Sequence, residues 1–188
     1  MKRNDYNRGF TILEVLVSTA LFSIMMTVAL GALISLNNSN KKAQVTRVAM
    51  DNISFALENI SRNLRVGTSY HCDYQVGTIT APRACPSGAT SIAMESDKGS
   101  LSNPNDQLVY RLNNGKIERS TDSGSTFLQL TSDEIVIDSL SFLVTGAALN
   151  DQRQPRVTIY LTGTVTHKQT VQSTFAIQTT VTQRLIDS

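Results

Sequence analysis

The sequence predicts an α+β chain: one long N-terminal helix, first membrane-spanning and then amphipathic, packed on an antiparallel β-sheet. Three observations carry that prediction. An unbroken apolar run occupies residues 10–36, with Glu14 its only charge. Beyond it, Met50, Ile53, Leu57, Ile60 and Leu64 follow 3-4-3-4 spacing, which places them on one face of a helix. From residue 108 onward, short segments rich in Val, Ile and Thr alternate with polar residues between turn signals, the pattern of antiparallel strands with one dry face.

As a helix at ~1.5 Å per residue, the run over 10–36 is ~40 Å long, enough to cross a hydrocarbon core of ~30 Å with some tilt. In front of it, residues 1–9 are short and polar, with Lys2, Arg3 and Arg8 against Asp5. A secretory signal peptide places its small-residue cleavage site after the apolar core, and that core is roughly 7–15 residues long. Here the small residue, Gly9, precedes the core, so a cut after Gly9 leaves the apolar helix on the mature chain. Glu14 is the second unusual feature. A carboxylate near the centre of a spanning helix costs about 3 kcal/mol and less near an end, so such a residue points to a functional partner. Phe10 lies one helical turn away. The α-amine created by a cut after Gly9 is cationic at neutral pH and would sit near the depth of Glu14.

The run Gly9-Phe10-Thr11-Ile12-Leu13-Glu14-Val15-Leu16-Val17 resembles the class III signal of type IV prepilins and type II secretion pseudopilins. The resemblance is specific over about residues 8–36 and looser elsewhere. It implies a pilin-like fold, cleavage after Gly9 by a prepilin peptidase, and N-methylation of Phe10 by the same enzyme. It also implies that Glu14 neutralises the Phe10 amine of an adjacent subunit during assembly. The partners it implies are other pilin or pseudopilin subunits, the prepilin peptidase, an inner-membrane assembly platform, and the lipid bilayer before assembly. Basic residues flank the run on both sides, since Lys41, Lys42 and Arg47 follow it. The expected orientation, a single pass through the cytoplasmic (inner) membrane with a cytoplasmic N-terminus, therefore rests on the resemblance. So does an extracytoplasmic filament as the destination.

The expected domain layout is a leader at 1–9, a transmembrane or filament-core helix at 10–36, its amphipathic continuation at 37–66, and a globular β-rich domain at 67–188. The helix is expected to run from about Phe10 to Leu64, with Val66-Gly67 as its stop. Residues 67–107, with Pro82, Pro86 and Pro104, read as irregular, apart from a short strand at 91–95. Strands follow at 108–112 and 116–119 around Asn114-Gly115, the strongest short hairpin signal. Further strands are expected at 127–130, 135–137 and 140–144, then a long hairpin of 156–166 with 170–184. The sheet's dry face is expected to receive the Met50–Leu64 stripe.

Net charge is +2, and three bases and one acid of that lie in the leader, so the remaining side chains balance. No basic surplus indicates nucleic acid as a partner. The two cysteines, Cys72 and Cys85, lie beyond the span. An exported segment permits their oxidation, and a disulfide is the favoured reading over free thiols or metal binding with His71. His71 and His167 are read as surface or loop histidines. Asn103, Asn105, Asp106 and Asp122 do not follow an EF-hand pattern and are read as turn residues rather than calcium ligands. No nucleophile, phosphate-loop or dinucleotide motif occurs. The expected function is therefore structural and not enzymatic, with no cofactor and no metal.

The strands at 135–144 and 156–184 resemble, loosely, those of J- or W-type minor pseudopilins, which favours a minor subunit. Glu14 argues against the specialised tip subunit that lacks it. The alternatives are a filament-borne adhesion or DNA-uptake subunit, for which Arg111, Lys116 and Arg119 are the nearest basic cluster, and a bitopic membrane protein that never assembles.

Overall fold

A computed structural model of the chain describes residues 9–100, 102–148, 153–167 and 171–184, with side chains from 9–165 and 173–184 within those limits. The expected leader therefore lies outside the described residues except for Gly9, as does Thr170 at the expected start of the last strand. The chain divides into two compact units, Met1–Ala43 and Gln44–Ser188, and one helix, α1 (Ile12–Val66), contributes to both.

In the first unit, every described residue is exposed, including Phe10, Leu13, Leu16, Phe22 and Met25. Three hydroxyls inside the run bond back to the helix itself. Thr19 Oγ1 donates to Val15 O at 3.0 Å, Ser23 Oγ to Thr19 O at 2.8 Å, and Thr27 Oγ1 to Ser23 O at 2.9 Å. Hydroxyls closed onto the preceding turn in this way leave no unmet donor, as an apolar medium requires.

In the second unit, α1 buries Ala49, Ile53, Ala56, Leu57, Ile60 and Leu64. Met50 is only partly buried, so the stripe is turned slightly toward Ala49. The strands are β1 (Thr68–Cys72), β2 (Cys85–Ala89), β3 (Ser91–Glu95), β4 (Leu108–Asn113), β5 (Lys116–Ser120), β6 (Leu128–Gln129), β7 (Ile135–Thr145), β8 (Arg156–His167) and β9 (Val171–Thr182). They form two antiparallel sheets, ordered β1-β3-β4-β5-β6 and β2-β7-β8-β9, where the sequence suggested one. Core residues from both, including Ile92, Tyr110, Phe142 and Ile159, join one apolar cluster with the helix stripe.

The segment read as irregular contributes β1 and β2, and both are edge strands. β2 carries Pro86 and Gly88. An edge position tolerates a missing N–H, and Gly88 has φ of +82° with no room for a Cβ against Ser141 Oγ. The expected strands at 135–137 and 140–144 are one strand with an irregularity between Ile137 and Ser139. The Asn114-Gly115 turn has positive φ at both residues, 46° and 71°, as a two-residue hairpin needs. Gly115 also ties the sheets together, since Ile137 N donates to Gly115 O at 2.8 Å.

Candidate functional site

The N-terminal motif sits where the helix begins. Gly9 and Phe10 precede it, Phe10 is 82% exposed, and Glu14 falls in the first turn. Thr11 is the cap: its Oγ1 accepts from Glu14 N at 3.3 Å. Thr11-Ile12-Leu13-Glu14 thus has the spacing of a capping box, a feature readable from the sequence that the resemblance obscured. Glu14 is also favourably placed by the helix dipole, whose positive end lies here. The helix dipole accounts for a carboxylate in this turn, but not for the apolar run after it.

The second site is the disulfide Cys72–Cys85, with a Cα–Cα distance of 5.9 Å. Sequence reasoning placed it in a loop, where it would stiffen a local segment. Instead it joins β1, an edge of the five-stranded sheet, to β2, an edge of the four-stranded sheet. Cys72 is fully buried within the apolar cluster. The intervening loop folds back on β1. Cys72 N donates to Arg83 O at 3.0 Å, and an Arg83 guanidinium nitrogen donates to Cys72 O at 2.8 Å.

His71, buried in β1, is a correction to the reading of both histidines as surface or loop groups; the side chain of His167 lies outside the described residues. His71 is 2% exposed. Its Nδ1 lies 2.6 Å from Ala81 O and its Nε2 lies 2.7 Å from Val76 O, so the ring pins both limbs of the disulfide loop. Both ring nitrogens face carbonyl oxygens and both sulfurs are in the disulfide, so His71, Cys72 and Cys85 do not converge as a ligand set.

The turn residues are engaged with their own loops. Asn103 Oδ1 accepts from Asn105 N at 3.1 Å, and Asp106 Oδ2 accepts from Ser100 N at 3.0 Å. Asp122 accepts from Ser120 Oγ, Thr126 N and Thr126 Oγ1, and these hydrogen bonds lower its pKa to about 2. The basic hairpin is also engaged. Arg111 donates to Glu118 Oε2 at 2.8 Å and to Tyr74 OH at 2.9 Å, and its guanidinium lies 3.4 Å from the centre of the Phe127 ring. Lys116 Nζ donates to the carbonyl oxygens of Ser132, Asp133 and Ile135 at 2.8–3.0 Å.

One buried acid escaped the sequence reading. Glu95 ends β3, is 3% exposed, and accepts from Gln107 Nε2 at 2.5 Å, while Glu95 Oε1 and Gln107 Oε1 have no partner. Burial raises the Glu95 pKa, and the charge of Asp106 adds to the rise. A carboxyl raised on folding contributes stability that is full below its unfolded pKa, near 4.5, and is lost as pH rises through the folded value. Glu95→Gln offers an N–H to the vacant Gln107 oxygen and carries no charge to desolvate. Thermal melts of the two proteins from pH 4 to 8 are expected to show the variant gaining on the parent as pH rises. A parallel pH dependence in both would show that Glu95 does not carry the effect.

A long helix with this N-terminal motif, and antiparallel sheets packed on its later turns, define a pilin-like protein. Residues 4–30 match the prokaryotic N-terminal methylation motif, and residues 42–183 match prepilin peptidase-dependent protein B. The second match spans most of the chain, which therefore belongs to the prepilin peptidase-dependent protein B family. No curated protein and no solved structure matches it.

Proposed function

We propose that the chain is a minor structural subunit, a minor pilin or pseudopilin, of a filament of the type IV pilus or type II secretion kind. The observation that carries this reading is the exposed apolar run over residues 10–36, which follows Gly9, enters the helix at Ile12 and holds one carboxylate, Glu14, in the first helical turn. The prepilin peptidase cuts after Gly9 and methylates Phe10. The helix then holds the chain in the cytoplasmic membrane, N-terminus inward, until the assembly platform extracts it. In the filament the apolar helices pack together, with Glu14 against the Phe10 amine of a neighbour, and the globular unit faces outward. The role is architectural rather than catalytic.

The basic hairpin offered for an adhesion or DNA-uptake role is a poor fit to that role. Arg111 and Lys116 are committed to internal partners, and Phe127 is covered by Arg111. A stacking platform for single strands needs free cations beside open aromatic faces.

Replacing Glu14 by Val tests the register role. An uncompensated amine in an apolar core is penalised by several kcal/mol, and each ~1.4 kcal/mol is tenfold in an equilibrium. Incorporation into sheared filaments is expected to fall by about tenfold or more, while membrane insertion persists. Unchanged incorporation would rule out that role for Glu14.

A further inference from the structure

Four buried side-chain polar atoms lack a hydrogen-bond partner among the described residues, and three of them are oxygens of neighbouring groups: Glu95 Oε1, Asp106 Oδ1 and Gln107 Oε1. Glu95 and Gln107 are 3% and 1% exposed, and they sit one position beyond the Met94–Leu108 pair that closes the β3–β4 ladder. Their side chains are in contact, since Gln107 Nε2 donates to Glu95 Oε2 at 2.5 Å, and the other oxygen of each accepts nothing. Asp106 precedes Gln107, and its Oδ2 accepts from Ser100 N at 3.0 Å. Gly99, next to Ser100, backs onto Glu95, so closely that a Cβ there would stand 1.8 Å from Glu95 Oε1. The two carboxylates therefore meet consecutive residues of one turn, each with an oxygen to spare.

Buried acceptors without donors are costly, and buried charges without partners more so. The nearest base in sequence, Lys98, is exposed, and no ion pair reaches Glu95 or Asp106 among the described residues. A proton on Glu95 would supply one O–H, which serves one of the other two oxygens and leaves the last unmet. A hard cation takes lone pairs from all three. The donors are oxygen only, which suits calcium and not zinc, whose sites are built largely from nitrogen and sulfur. Calcium accepts about 6–8 oxygens in flexible geometry, amide carbonyls included, whereas magnesium demands a rigid octahedron and keeps its waters.

We propose that Glu95, Asp106 and Gln107 form a calcium site that fastens the end of β3 to the start of β4, with backbone carbonyls and water completing the shell. Asp106, read from the sequence as a turn residue, plays both parts: one oxygen holds Ser100 and the other is left for the ion. Asn103 and Asp122 stay outside the site, engaged within their own turns. A loop-motif scan misses such a site because two of its donors, Glu95 and Gln107, stand twelve residues apart and one donor is a neutral amide. With two carboxylates, the expected affinity is that of extracellular calcium modules, a Kd of about 10⁻⁴–10⁻³ M. The site does not depend on filament assembly.

The test uses the full-length chain in detergent at pH 7 and constant ionic strength, with calcium chloride as the probe against EDTA. Calorimetric titration is expected to show one ion bound per chain, and about 5 mM calcium to raise Tm by about 3–6 °C. Magnesium at the same concentration should give less than half that rise. Glu95→Gln and Asp106→Asn keep the shape of the parent side chains and remove one charge each. Either should weaken calcium binding by about tenfold or more and lose most of the rise, while Asp97→Asn, an exposed acid of the same turn, keeps it. Glu95→Gln carries the test alone if Asp106→Asn fails to fold. A parent chain whose Tm ignores calcium would overturn the inference and leave a proton as the partner of Glu95. So would a rise that persists in Glu95→Gln, which would put the ion elsewhere, or an equal response to magnesium.

Discussion

Ile60→Ala is expected to destabilise the globular unit by about 2–5 kcal/mol, the cost of deleting buried methylenes and leaving a cavity between close-packed elements. Ile60 has no exposed surface and lies mid-stripe, between Leu57 and Leu64, where both sheets converge on the helix. The neighbouring contacts are held from several directions, which limits collapse into the vacated space. Asn59 and Asn63 hydrogen-bond Tyr110 OH at 2.8 and 2.6 Å, and Tyr70 OH donates to Leu64 O. Burial pushes the Tyr110 pKa up to about 12, which keeps that hydroxyl a neutral donor at any physiological pH. Phe55 is the control, on the same helix but 64% exposed. Phe55→Ala should stay within about 0.5 kcal/mol of the parent, as surface changes do. Denaturant unfolding of the purified chain in detergent, followed by tyrosine fluorescence, separates the two. Equal effects would mean that the stripe does not face the sheets.

Removing the disulfide is the second large effect. Cys72 and Cys85 are 13 positions apart, and a loop of that size gives a chain-entropy stabilisation of about 3 kcal/mol. The bridge also joins the edges of two sheets, so its loss is expected to reach beyond the loop. Cys72→Ala combined with Cys85→Ala should lower stability by about 2–4 kcal/mol. Amide exchange should accelerate in β1 and β2 together, since both lose their link across the sheet boundary. The parent chain after reduction should behave like the double variant. If reduction changed only the loop between the cysteines, the bridge would be a local staple and not a link between sheets.

The long helix was legible because its two halves carry different but strong patterns, an uninterrupted apolar run and then a 3-4 stripe ending at Val66-Gly67. The β4–β5 hairpin was legible from Asn114-Gly115, where only residues tolerant of positive φ fit. β8 and β9 were legible from runs of Val, Ile and Thr, though Gly163 conceals a close approach: a Cβ there would meet Phe175 and the backbone of Val136. β1 and β2 were not legible. Their sequences, Thr-Ser-Tyr-His-Cys and Cys-Pro-Ser-Gly-Ala, lack apolar alternation, because each is an edge strand whose place is set by its pairing and by the disulfide. The second sheet was hidden for the same reason, since nothing local says which strand pairs with β7. His71 and Glu95 look like ordinary polar residues in sequence; their partners are on loops that return five to twelve residues later, at Val76, Ala81 and Gln107, with no local signal of the return. At the N-terminus the motif was plain, but the capping role of Thr11 was read only from geometry.

The central claim, that this chain is processed as a pilin-like subunit, is tested most directly by intact mass with N-terminal fragmentation after co-expression with a prepilin peptidase. The account predicts loss of residues 1–9 and one added methyl group on the Phe10 amine. An uncleaved chain, inserted in the membrane with its leader in place, would contradict it and leave a bitopic membrane protein whose Glu14 only complements the positive end of its helix dipole.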